Sequence, residues 1–195
     1  MNLLEKVQQN LGYPALQKID VSTDKIVDDD ATPNEDKFSQ AAIPAVLTAL
    51  YKFVQTDEGA SDVLNGNNDT KWIAKIFDEY KNDAISIISS YSKQSNENPL
   101  DKMHTIANEA VKITKETVGE NGTIKEVKIF FKQQKNDILL YLLPTLKMGE
   151  LLNDGTLDDN TNKMEGPISS LMHSLGNIFT NPTTEAELKK KQDDF

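Results

Sequence analysis

Cysteine is absent from the 195 residues, and so is arginine: all 21 basic residues are lysine. Without cysteine there is no disulfide, no thiolate metal site and no thiol nucleophile. Without arginine the chain lacks the planar fork that grips phosphates and guanine edges, which lysine replaces only as a point charge. The 31 acids against 21 lysines leave a net charge of -10, so the field of the whole chain repels polyanions. Nucleic acid and anionic membrane are therefore not expected partners. Long apolar runs are also missing. The longest, "ILLYLL" at Ile138 to Leu143, falls far short of the ~20 residues that cross a bilayer. The start, "MNLLEKVQQNLG", reads as an amphipathic helix and not as a signal peptide, and the expected location is the cytoplasm.

Catalytic signatures are missing too. There is no G-x-S-x-G, no S-x-x-K with its partners, and two histidines are too few for a convincing triad. Neither G-x-x-x-x-G-K-[ST] nor G-x-G-x-x-G occurs, so no phosphate loop is expected. No cofactor is implied. A carboxylate pair for glycosidase-type chemistry can be drawn from 31 acids only arbitrarily, because such a pair is defined by its separation in space.

What is present is helical periodicity. Leu3, Leu4, Val7 and Leu11 share a face, and Gly12 and Pro14 stop that helix. Seven acids against one lysine between Asp20 and Asp36 mark a polar connector. "TPNE" offers Thr32 as N-cap, Pro33 as first helical residue and Glu35 three places after the cap. Phe38, Ala42, Ala45, Val46, Ala49, Leu50 and Phe53 follow, with a kink or restart expected at Pro44. "DEGASDVLNGNND" reads as a second acidic connector. The stripe Trp72, Ile73, Ile76, Phe77, Tyr80, Ala84, Ile87, Ile88 and Tyr91 predicts one long amphipathic helix. "NPLD" starts another with Asn98 as cap and Pro99 first, and "GENG" ends it. A segment from Ile124 to Leu152 is expected to be helical, enclosed at Ile138 to Leu143 and interrupted by Pro144. Ile168, Leu171, Met172, Leu175, Ile178 and Phe179 make a last short amphipathic helix.

Nothing alternates with period two for long. The expected fold is all-α: a single-domain bundle of about six helices over residues 1–182, two of them interrupted by proline, with a charged tail or short helix at 183–195. "AAIPAVLTALYKF" and "LYLLPTLKMGELL" place Pro44 and Pro144 alike before acidic loops, a faint helix–loop–helix pseudo-repeat.

Three groups of residues invite a chemical reading. "NDGTLDDNTNKMEGP" gathers Asp154, Asp158, Asp159 and Glu165 in a Gly/Asn loop, as a calcium site does. Counted from Asp158, Asn160 and Asn162 stand correctly, but Lys163 holds the glycine place and Ser169 the glutamate place of an EF-hand. With Gly155 in the glycine place, Leu152 falls at a ligand position and Thr161 at the last. Both registers fail, leaving an irregular site on Asp154, Asp158 and Asp159 as the alternative to a loop held by Asx turns. "LNGNNDT" alternates Asn65, Asn67 and Asp69 but has Thr70 at the glycine place. Asp101 and His104 stand one helical turn apart, the spacing of di-iron bundles, but His173 has no acid three or four residues before it. Trp72 is either core or an anchor for a partner.

"ILLYLLPTLKMGELLNDGTLDDNTNKMEGPISSLM" resembles the later part of YidB-like bacterial proteins, a helical family of unknown function, in which an "LLP" helix leads through a Gly/Asp loop into a last helix. Leu142, Leu143 and Pro144 carry the resemblance, and "SQAAIPAVLTAL" has a similar cast. It implies an all-helical fold and brings no catalytic residues. The expectation is a non-catalytic helical protein acting by protein–protein contact or self-association; divalent-cation binding and a carboxylate enzyme follow in that order.

Overall fold

The computed structural model describes residues 2–19, 33–93 and 98–157. They are all-α, a multi-helical bundle with no strand among the described residues. Eight α-helical segments follow in chain order: α1 Leu3–Asn10, α2 Asn34–Phe53, α3 Asp57–Asn65, α4 Trp72–Phe77, α5 Lys81–Ser92, α6 Pro99–Val118, α7 Ile124–Leu139 and α8 Met148–Leu151. The described residues lie within one compact unit, Met1–Asp159. The expected last helix at 168–179, His173 and the tail at 183–195 lie outside the described residues, as do Thr32, Asp158 and Asp159.

α2 is the centre of the bundle, with α1, α4, α5, α6 and α7 packed against it. Its sequence explains why. Every residue from Ala41 to Leu50 is buried, and the small Ala41, Ala42, Ala45 and Ala49 let neighbouring helices approach on all sides. The enclosed helix is therefore α2, and not the apolar run Ile138 to Leu143. The helix does not restart at Pro44, for α2 runs unbroken from Asn34 to Phe53. Pro33 precedes the first helical residue instead of being that residue.

Three other expectations are corrected. Asp57–Asn65, read as a connector, is helical: Thr56 caps it by accepting a hydrogen bond from the Gly59 amide at 3.0 Å, and Ala60 and Val63 are buried. Gly59 is required there, since a Cβ would lie 2.1 Å from the Phe53 carbonyl oxygen. The long stripe from Trp72 to Tyr91 is two helices, divided at Asp78, whose φ of 48° and ψ of -122° break the helical path. The division allows α4 and α5 each to lie against α2. Finally, α7 ends at Leu139, well before Pro144; Leu143 is extended, and Pro144–Leu146 form a 3-10 turn.

The expected boundaries of α6 hold. Asn98 occupies the cap position, Pro99 is first, and Gly119, with φ of 79°, ends the helix. α7 opens with a reciprocal capping box: the Thr123 amide donates to Glu126 Oε2 at 2.8 Å and the Glu126 amide to Thr123 Oγ1 at 3.3 Å. Two glutamines tie distant segments. Gln134 accepts from the Leu3 amide at 2.8 Å, satisfying an unpaired donor at the start of α1. Gln40 accepts from the Gln17 amide at 2.7 Å and donates to the carbonyls of Gln17 and Tyr141. The segment after α1 is thus pinned to α2 and to the end of α7, where the Ile19 amide donates to the Leu140 carbonyl at 2.8 Å.

Candidate functional site

Of the three acids suggested as calcium ligands, Asp154 is described. Its Oδ1 accepts from the Thr156 amide at 3.2 Å and from Thr156 Oγ1 at 2.7 Å. That is an Asx turn opening the short 3-10 stretch Gly155–Leu157, so the carboxylate is occupied by its own loop. The other acidic loop is built alike: Asn67 Oδ1 accepts from the Asp69 amide at 3.0 Å, and the Asn67 amide donates to Thr70 Oγ1 at 3.0 Å. Among the described residues, no group of three or more His, Asp or Glu side chains could hold a metal ion.

His104 lies half-buried on α6. Burial pushes its pKa below the ordinary imidazole value; Asp101 opposes that shift, while Lys81 and Lys71 add to it. Asp101 instead receives the Asn98 side-chain amide at 2.6 Å, stabilising the start of the helix. Asp101 therefore serves the first turn of α6.

Trp72, weighed above as core or as an anchor for a partner, is fully buried, and its indole lies in the core. A Cβ on Gly66 would lie 2.3 Å from the Trp72 ring, so glycine lets the turn after α3 close directly over the indole.

Two surface features were not picked out by sequence motifs. The first is the outer face of α7. Lys125, Lys128, Lys132 and Lys135 recur at i, i+3, i+7 and i+10, a row about 15 Å long on one side of a helix. Lys128 and Lys135 turn inward: Lys128 Nζ pairs with Asp57 at 2.6 Å, and Lys135 Nζ lies 5.7 Å from the centroid of the Tyr51 ring. Lys125 and Lys132 are exposed. Between them stands Ile129, 43% exposed and the one exposed large hydrophobic side chain among the described residues. The lysine spacing was legible in the sequence; the exposure of Ile129 was not.

The second is a cleft of about 300 Å³ between α6 and the turn after α3. Asn108, Lys112, Lys115 and Glu116 of α6 line one side, and Gly66, Asn67, Asn68 and Trp72 the other. Lys115 Nζ crosses it to donate to the Gly66 carbonyl at 2.9 Å. At the cleft, Asn108 Oδ1 is buried and accepts no hydrogen bond from the protein. No sequence signal marks the cleft, since its two walls are about forty residues apart in the chain and no local pattern links them.

Comparison with known proteins adds no relative: no protein-family profile matches the sequence, and neither a curated protein nor a solved structure matches it. No described helix is long and apolar enough to cross a membrane.

Proposed function

We propose that this is a non-catalytic, cytoplasmic protein that works by contact with another protein surface, through the outer face of α7. The observation that carries the proposal is Ile129: a large apolar side chain held in solvent between exposed Lys125 and Lys132, on a chain whose other described large apolar side chains are covered. A row of like charges at helical spacing destabilises an isolated helix by about 0.2–0.5 kcal/mol per pair. An acidic partner removes that repulsion, and burying Ile129 adds an apolar anchor at its centre. Self-association, with α7 of one copy against an acidic stretch of another, is the form to test first, and it works against the mutual repulsion of two chains at net charge -10. The resemblance of Leu142, Leu143 and Pro144 to YidB-like proteins is likewise a proposal, and it agrees with a role that needs no catalytic residue.

Solution mass against concentration, at low and high salt, tests the reading. The full chain is expected to associate, less so at high salt, and Ile129→Asp or the pair Lys125→Glu and Lys132→Glu should weaken association at least tenfold without changing the melting temperature. A chain that is monomeric at all concentrations, and whose capture of host proteins is unchanged by these substitutions, overturns it.

A further inference from the structure

Asn65–Gly66 and Asn121–Gly122 are the chain's two asparagine–glycine pairs. In such a pair the glycine amide nitrogen can reach the asparagine side-chain carbonyl carbon, because glycine has no Cβ to obstruct ring closure and its backbone turns freely. The sequence treats the two pairs alike, and the fold does not.

At Asn65–Gly66 the reacting groups are held apart. Asn65 is the last residue of α3, and its side-chain amide donates backward to the Ser61 carbonyl at 2.9 Å and to Ser61 Oγ at 3.2 Å. The Gly66 amide donates to the Asp62 carbonyl at 2.7 Å, which continues the helical pattern away from the Asn65 side chain. Gly66 is fixed on two further sides: its carbonyl accepts from Lys115 Nζ at 2.9 Å, and a Cβ there would lie 2.3 Å from the Trp72 ring. Ring closure needs all of these restraints released together.

Asn121–Gly122 lies in the turn between α6 and α7. Asn121 is exposed, and its side chain makes no hydrogen bond to a described residue. The Gly122 amide is held by a single bond, to the Gly119 carbonyl at 3.0 Å, across a four-residue turn. Such surface turns open locally at far lower cost than the helices they join. Opening frees the nitrogen beside a side chain that nothing else engages.

We propose that Asn121 is a site of spontaneous deamidation, with water as co-reactant, and that the fold protects Asn65 from the same reaction. The Gly122 amide gives its proton to hydroxide and its nitrogen attacks Asn121 Cγ. The Cγ–Nδ2 bond breaks, ammonia leaves, and a five-membered succinimide remains. Water then opens the ring at Cγ to give aspartate, or at the backbone carbonyl of residue 121 to give isoaspartate. Either product puts a carboxylate two residues before Thr123. Isoaspartate also routes the backbone through the side chain, adding one atom between the Gly119 turn and the Thr123–Glu126 capping box that opens α7.

Mass spectrometry of aged full-length protein tests the proposal. The chain is incubated folded, at neutral and at alkaline pH, and unfolded in urea, then cut at lysine under mildly acidic conditions. The cut places Asn121 in Glu116–Lys125, where it is the sole asparagine, and Asn65 in Phe53–Lys71, where fragmentation separates it from Asn67 and Asn68. Each deamidation raises a peptide's mass by about one dalton. In the folded chain Asn121 should convert at least about tenfold faster than Asn65, and faster at alkaline than at neutral pH. In urea the two should convert at similar rates. Asn121→Gln, which can close only a slower six-membered ring, should abolish the gain in Glu116–Lys125 without moving the melting temperature. No conversion of Asn121 in the folded chain, equal rates for the two asparagines there, or a difference between them that persists in urea overturns the proposal.

Discussion

Pro44 lies in the interior of α2, with helix on both sides, whereas Pro144 opens a 3-10 turn after α7 has already ended. Both prolines follow a pair of apolar residues and lie upstream of an acid-rich stretch, so the local sequence treats them alike. The difference is in what surrounds them. An interior proline costs a helix about 3 kcal/mol, because the Gln40 carbonyl has no N–H to accept from and the ring crowds it. α2 offsets that cost by burial: Phe38, Ile43, Val46, Leu47 and Leu50 are fully covered, each worth roughly 1.5–3 kcal/mol relative to exposure. After Pro144 burial is broken up: Leu146, Met148, Leu151 and Leu152 are buried, but Pro144, Thr145, Lys147 and Glu150 interrupt them at the surface. Thr145 and Lys147 are exposed, Lys147 takes a left-handed φ of 47°, and Gly149 follows in a helix of only four residues. Tyr141, Leu142 and Leu143 are buried in succession, which suits an extended or turning backbone, and Leu143 has the extended ψ of 121° favoured before proline. Proline alone does not decide whether a helix continues; α2 passes through Pro44 within an unbroken buried run, Ala41 to Leu50, and no such run follows Pro144.

Truncating one leucine beyond each proline tests this most strongly. Leu47→Ala, in the enclosed helix, should cost about 3–5 kcal/mol, while Leu146→Ala, in a short turn free to collapse on the gap, should cost about 2 kcal/mol. Urea denaturation of both variants measures it. Equal losses would mean that the turn is packed as rigidly as the helix, and the contrast drawn above would fail.

The prolines themselves should then respond with opposite signs. Pro44→Ala restores an N–H to the Gln40 carbonyl and removes the crowding, worth about 3 kcal/mol, and loses about 1.5 kcal/mol of buried ring. A net gain of about 1–2 kcal/mol is expected. Pro144 is exposed, stands where no helical N–H is needed, and restrains the unfolded chain. Pro144→Ala should therefore lose about 0.4–1 kcal/mol. Melting temperatures moving in the same direction would show that the two environments are less different than their burial suggests.

The same contrast accounts for what was legible in the sequence. Elements with a local cause could be read: α1 with Gly12 after it, and α6 between Asn98–Pro99 and Gly119. The all-α class followed from periodicity alone. Elements with a distant cause could not. α3 looks like loop because Asp57, Glu58, Gly59, Ser61 and Asp62 surround only a few apolar residues, and its packing on α7 decides otherwise. The break at Asp78 has neither glycine nor proline to announce it. Trp72 could be weighed only as core or anchor until the Gly66 turn was seen lying on it. Asn108 attracts no notice in the sequence, because an unpartnered oxygen is a property of the folded surroundings.

The smallest effect is expected at the acidic loop after Pro144, where adding calcium should do nothing. A cation that binds the folded state raises the melting temperature in proportion to its occupancy, so a melt in millimolar calcium against a chelator reads the site directly. Asp154 already accepts two hydrogen bonds from Thr156, and a metal would have to replace them. Calcium further requires six to eight oxygens, and Asp154 stands in no group of three acidic or histidine side chains among the described residues. A concentration-dependent rise would restore an irregular site on Asp154, Asp158 and Asp159. It would also reverse the comparison of the two prolines, since the segment after Pro144 would then owe its order to a ligand, as α2 owes its continuity to burial.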